Sequence, residues 1–366
     1  MYFRAWEYAL AERTDAHYHP FNPHIRYEGT MYGDLLNTVS FKPQPDEIRP
    51  QIFETDEYGF RNRKGLLDAP IDAVMTGTSF VGGAQETQNK LISSLLIYTY
   101  KIKVYNYATL PLQYVWEDER FIKNKPKYII VVGNETEILQ KSWIEALEKT
   151  NSTHPVKKWQ SYDEWEQADQ TKLTYADTAK KLQRFSIIRH YAKLIHRDSL
   201  NALVSRKTLA GASAYNGVYD SKQDMIFWDI NNYDPTLNAA SEKAIQETIE
   251  ILTKARDILK TRNIQLIVAV MPSKSQLYGE RFVKLPIKER ALVKLEEKFD
   301  EYNINYVPLF KTTYNYTLEG KLLYYPDDGH WNTKANEIIA KGISEKIKEI
   351  EKLHGEAAEY DQNMAY

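Results

Sequence analysis

The stretch KYIIVVG, Lys127 to Gly133, is apolar from its tyrosine to its glycine and shows no polar alternation. A strand with that pattern must be covered on both faces, and its β-branched residues favour extended backbone. Runs of the same kind flank it: IDAVMTG (Ile71 to Gly77) and IKVYNYA (Ile102 to Ala108) before it, IQLIVAVM (Ile264 to Met271) and INYVPLF (Ile304 to Phe310) after it. Helical patterns lie between most of them. The clearest is Ala239 to Arg262, where Ile245, Ile249, Leu252, Ala255 and Leu259 recur at spacings of three and four among charged residues. Further helical segments follow Ser79 and span Ile287 to Asp300 and Thr333 to Leu353. Strands alternating with helices predict an α/β fold built on a parallel, doubly wound sheet.

The interval from Lys149 to Asn238 breaks that rhythm with HPVKKWQSYDEWEQADQ and AGASAYNGVYDSKQDM, rich in Trp, Tyr, Gly and Asp. It reads as an insertion, about residues 149–238, between the third and fourth core strands, capping one end of the sheet. Residues 1–55 carry HPFNPH and few periodic signals, and read as a wrapping segment. Residues 56–350 then form the main domain. The tail 351–366, ending GEAAEYDQNMAY, is expected to fray.

Composition narrows the function. The 366 residues carry a net charge of -2 with interspersed signs and no basic stripe, which argues against a dedicated nucleic-acid or anionic-membrane binder. The absence of Cys removes thiol catalysis, disulfides and iron-sulfur sites. No cofactor and no metal are expected. Tyr is abundant, at 27 residues, and its flat apolar face with a polar edge suits the core and also sugar surfaces.

In an open parallel sheet, ligands collect at the carboxyl ends of the strands. After the first core strand comes GTSFVGG, Gly77 to Gly83, which places Ser79 at the turn into a helix. A serine hydroxyl there is either a helix cap or a nucleophile with backbone donors beside it. Val81 stands where the α/β-hydrolase elbow has its last glycine, so that elbow is excluded. A serine nucleophile needs a base. YYPDDGHWN, Tyr324 to Asn332, supplies one at the entry to the last helix: His330 with Asp327 three residues before it and Asp328 two before it, either of which can orient the ring. VVGNETE places Asn134 after the third strand, where its amide can serve an oxyanion or an ordinary turn. NYATLP offers the backbone N–H of Ala108 or Thr109 for the same task. Trp331 either packs under the turn or stacks on a sugar. Trp159, Trp165, Tyr215 and Tyr219 of the insertion are candidates for a glycan groove.

GTSF after the first strand, GNE after the third and DDGHWN before the last helix together resemble the SGNH/GDSL superfamily. TDEYGFRN (Thr55 to Asn62) and MPSKSQLYGE (Met271 to Glu280) sharpen the resemblance to its bacterial polysaccharide O-acetyltransferase branch, the AlgX/AlgJ-like and PatB-like proteins. It covers about residues 50 to 350 without the insertion. The resemblance implies a flavodoxin-like parallel sheet and a triad of Ser79, His330 and Asp327, the three-residue spacing matching the family motif. It also implies oxyanion donors at Ser79, Ala108 and Asn134, and transfer of acetyl to a hydroxyl of a cell-surface or cell-wall polysaccharide. A membrane-bound O-acyltransferase partner would deliver the acetyl group. The second-block glycine of many relatives falls near Ala108, and GNE replaces the common GxND. An acetylesterase with the same triad is the alternative, and a non-catalytic glycan-binding protein a second one. The expected location is extracytoplasmic, with a membrane anchor that precedes Met1 and is absent from this chain. Were Met1 the native start, a cytosolic esterase would be the better expectation.

Overall fold

Every residue of Tyr128–Asn134 is buried in strand conformation, as an unbroken apolar run requires. The computed structural model describes residues 21–37, 43–140, 147–148, 150, 153, 156–169, 217–220, 223–228, 242–278 and 290–364. In chain order it begins with an antiparallel pair, β1 (Arg26–Met31) and β2 (Arg49–Glu54). Next come β3 (Ala73–Gly77), β4 (Val104–Asn106) and β5 (Tyr128–Asn134). A second antiparallel pair, β6 (Gly217–Asp220) and β7 (Met225–Trp228), precedes β8 (Gln265–Met271) and β9 (Tyr306–Val307).

The sheet runs β4-β3-β5-β8-β9, and every pairing in it is parallel. This is the flavodoxin-like order. From β3 the chain steps outward to β4, then reverses to β5 on the other side. The crevice above the carboxyl ends of β3 and β5 is therefore the switch point where such sheets bind ligands.

Side chains divide between the faces with a period of two. Ile129 and Val131 of β5 join Leu266, Val268 and Val270 of β8 on one face, under the helices Glu242–Lys260 and Ala291–Glu301. Tyr128, Ile130 and Val132 join Ile267, Ala269 and Met271 on the other, under Ile92–Tyr100 and Thr333–Met364. Both faces are covered, which is why these strands carry no polar alternation.

Three features depart from the sequence reading. The expected strand Ile304 to Phe310 is reduced to Tyr306–Val307, because Pro308 has no N–H for a ladder and caps the helix Leu309–Leu318 instead. The last helix runs on to Met364, past Leu353. The first 55 residues hold the β1–β2 pair, whose exposed and covered residues alternate in β1. Between β5 and β8 the described residues include the helix Tyr162–Asp169 and the β6–β7 pair. Ile226 of β7 donates its N–H to the Pro326 carbonyl at 2.8 Å, which sets this pair against the turn before His330.

Candidate active site

β3 ends at Gly77, where a Cβ would lie 2.2 Å from the Val132 carbonyl oxygen and 2.5 Å from a Val81 methyl. Only glycine lets the backbone leave the sheet this closely. Thr78 follows, and a single helical turn, Ser79–Gly82, puts Ser79 at its partly exposed start. Neighbouring loops hold that turn by its carbonyls. Asn106 Nδ2 donates to Val81 O at 3.0 Å, and Arg61 donates to Gly82 O at 3.0 Å and to Gly83 O. Asn62 in turn pairs with the Asn106 backbone, accepting from its N–H at 2.8 Å and donating to its carbonyl at 3.1 Å. The RN of TDEYGFRN thus acts on the serine turn from behind.

Ser79 Oγ lies 2.8 Å from His330 Nε2, and His330 Nδ1 lies 2.6 Å from Asp328 Oδ1. The histidine side chain is 14% exposed, so it is mostly covered without being sealed from solvent. Asp328 is fully buried and also accepts from the backbone N–H of His330 at 2.8 Å and of Asp34 at 2.6 Å. Burial alone pushes the imidazole pKa down. The Asp328 charge and hydrogen bond, with Asp34 and Glu137 beyond, outweigh that and hold it above the ordinary value. Burial likewise pushes the Asp328 carboxyl up, but the imidazolium and its hydrogen bonds take it well below the carboxylate range.

Asp327 does not orient the ring. Its Oδ1 accepts from Arg49 Nη1 at 2.8 Å and its Oδ2 from the Gly33 N–H at 2.6 Å. The physical reason is the tight turn, closed by Asp328 N–H to Tyr325 O at 3.2 Å. There the Asp328 side chain folds forward over Gly329, onto both the backbone N–H and the ring of His330.

Ala108 is corrected as well. Its N–H donates to Asn106 Oδ1 at 3.0 Å, and the Thr109 N–H is taken by Gly77 O at 2.6 Å, so both loop donors are spent inside the fold. Asn134 stands at the end of β5 beside the serine loop. Its Oδ1 accepts from Glu137 N at 2.9 Å, and Glu137 Oε2 accepts from Asn134 N at 3.3 Å, a reciprocal cap on the helix Glu135–Gln140. That cap engages the Asn134 oxygen. The other Glu137 oxygen accepts from the Thr78 hydroxyl at 2.5 Å, linking this cap to the residue before Ser79.

The aromatic candidates are packed inside. Trp331 is 1% exposed, donates to Asn336 Oδ1 at 2.6 Å and lies against Phe80, whose ring is also 4.6 Å from that of His330. It backs the imidazole through Phe80 and, buried, has no open face for a sugar. Trp159, Trp165 and Tyr219 are likewise buried: Lys157 covers the Trp159 ring, Tyr162 packs on Trp165, and the Tyr219 hydroxyl bonds Asp224. Tyr215 lies outside the described residues.

Several site residues escaped the sequence reading. Asp34 closes the His330 turn from the β1–β2 connection by accepting from Gly329 N at 2.9 Å. Glu86 accepts from the Tyr325 hydroxyl at 2.7 Å and from Thr333, and burial raises its pKa to about 7. Nothing local marks either residue in the sequence. Glu137 was legible, because Asn134-x-x-Glu137 at a helix start is the spacing of a capping box. Asp34, Asp328 and His330 bring donor atoms within 4.8 Å of one another, but the ring nitrogen among them is engaged by Asp328.

Residues 231–364 match the family described as SGNH hydrolase-like domain, acetyltransferase AlgX. The likeness is to the AlgX/AlgJ-like branch. The matched span holds β8, β9 and the His330 turn, and Ser79 lies outside it. A curated relative, the probable alginate O-acetylase AlgJ of Pseudomonas putida, is 22% identical over 146 residues. That stretch is 38% of this chain and 36% of the relative, so the alignment spans about a third of the curated protein it matches.

Proposed function

We propose that the chain is a serine-dependent O-acetyltransferase acting on hydroxyls of a polysaccharide. The observation that carries this reading is the continuous relay from Ser79 Oγ through His330 to the buried Asp328. The likeness to the AlgX/AlgJ-like branch supports the acetyl group and the polysaccharide acceptor.

In the first half-reaction Ser79 Oγ attacks the acetyl carbonyl while His330 Nε2 takes its proton, and Asp328 stabilises the imidazolium. The donor's acyl bond then breaks, His330 returns the proton to the leaving group, and the acetyl group stays as an ester on Ser79. In the second half His330 removes the proton of an acceptor hydroxyl, whose oxygen attacks the ester carbonyl. Ser79 leaves and recovers its proton. The Ser79 backbone N–H and Asn134 Nδ2 are the donors assigned to the transient oxyanion. The acetyl donor is delivered by a membrane-bound O-acyltransferase, and the reaction takes place on the extracytoplasmic side. An acetylesterase differs only in that water captures the ester. The test is to supply an activated acetyl ester with and without candidate oligosaccharides and to analyse the products by mass. Acetylated sugar supports the transferase, and free acetate alone makes the protein an esterase.

A further inference from the structure

We infer that Lys274 is a positioning residue of this site, a buried ammonium that clamps the Tyr325–Asp328 turn so that Asp328 meets His330; the inference rests on the relay described above. MPSKSQLYGE is the one motif stretch that the proposed chemistry leaves without a task, and Lys274 lies in it. It begins the helix Lys274–Tyr278 after β8 and is buried. Its Nζ donates toward Tyr325 O at 2.8 Å, Pro326 O at 2.9 Å, Asp328 O at 2.9 Å and, across the site, Ile226 O of β7 at 2.7 Å. An ammonium has three hydrogens, so four carbonyls saturate it. Three of the four belong to the few residues just before His330.

The clamp is anchored at both ends. Ser273, next to Lys274, donates its hydroxyl to Glu135 Oε1 at 2.9 Å, so the lysine backbone is tied to the end of β5 beside Asn134. A buried ammonium is costly without opposite charge. No carboxylate oxygen is bonded to Nζ among the described residues, but Asp328, Asp327 and Asp34 face it from the turn and the β1–β2 connection, with Arg49 opposing them. Burial lowers the Lys274 pKa to about 7 against that attraction. A loosened turn would let Asp328 Oδ1 drift from the ring, and misplacement by about 1 Å costs on the order of 10²-fold in rate.

The chain contains no Cys, which allows a direct test. Lys274→Met keeps the apolar stem and removes the donors. Lys274→Cys, aminoethylated on its single thiol while unfolded and then refolded, restores an ammonium on a stem of the same length. The Asp328–His330 bond is read by proton NMR as the downfield resonance of the bridging Nδ1 proton, together with the titration of the His330 ring. That readout needs no turnover, so it stands even if the proposed reaction fails. kcat and KM with an activated acetyl ester are measured beside it. In Lys274→Met the resonance is expected to broaden or vanish. The ring, with Asp328 drawn away from Nδ1 and less able to hold its proton, is expected to titrate at lower pH, and kcat to fall about 10²-fold with KM nearly unchanged. Aminoethylated Lys274→Cys is expected to recover all three. A folded Lys274→Met with the wild-type resonance and ring titration would overturn the inference, as would a folded aminoethylated protein that recovers neither.

Discussion

At the scale of single residues, Asp327 and Asp328 have separate tasks, and the same substitution tells them apart. Asp328→Asn keeps the shape but removes the charge that stabilises the imidazolium, so kcat is expected to fall by on the order of 10³-fold with the thermal midpoint little changed. Asp327→Asn leaves the Arg49 guanidinium without its ion partner, contacted at 2.8 Å by a fully buried carboxylate. It is expected to cost about 3 kcal/mol of stability, seen by calorimetry, with a small effect on kcat. The reverse pattern would return the orienting role to Asp327. The pH profile follows from the same pair. His330 must be neutral to accept the Ser79 proton, and Asp328 holds its pKa above the ordinary 6.5, so the acid limb of kcat/KM is expected above pH 6.5. In Asp328→Asn the residual activity should show that limb moved to lower pH, because the imidazolium loses its counter-charge. A limb that stays in place would separate the Asp328 charge from the base.

At the scale of elements, the site is carried by strand ends that are themselves tied together. Glu137 caps its own helix with Asn134 and takes the Thr78 hydroxyl, so one carboxylate sets the β5 loop against the serine turn. Glu137→Ala is expected to cost about 1 kcal/mol as a lost cap and to lower kcat through a displaced Asn134 amide. Stability loss with an unchanged kcat would confine Glu137 to capping. The strands and the order of the blocks were legible because an unbroken apolar run has few alternatives to a doubly covered strand. The Ser79–His330 meeting was legible because Ser79 follows a strand end and His330 stands at the entry to the last helix. The choice of aspartate was not, since spacing alone leaves both carboxylates within reach of the ring, and the geometry of one turn decides between them. Ala108 failed for a similar reason: its N–H is consumed by Asn106, a contact local sequence does not announce. Asp34 and Arg49 meet the turn across more than 270 residues of chain, as the Arg49–Asp327 bond illustrates, so no local pattern could mark them.

At the scale of the molecule, Trp331, Trp159, Trp165 and Tyr219, first considered for glycan contact, are buried and serve to build the protein. Trp165 is buried and its ring packs on Tyr162, so Trp165→Ala is expected to cost about 3–5 kcal/mol of stability while leaving acceptor affinity, measured by titration calorimetry, unchanged. Weakened glycan binding in a protein of normal stability would restore the groove reading. The whole fold otherwise converges on one crevice: β3 delivers the serine, β5 the asparagine and its cap, β8 the lysine clamp, and the turn before the last helix the histidine. The central claim is that this convergence makes Ser79 carry the acetyl group. The most direct measurement is the mass of the intact protein and of its Ser79 peptide after mixing with an activated acetyl ester and quenching in acid. The account predicts one added acetyl group on Ser79 in the wild-type protein, none in Ser79→Ala, and its discharge when an acceptor sugar is supplied. An adduct that persists in Ser79→Ala, or near-normal turnover by that variant, would contradict it.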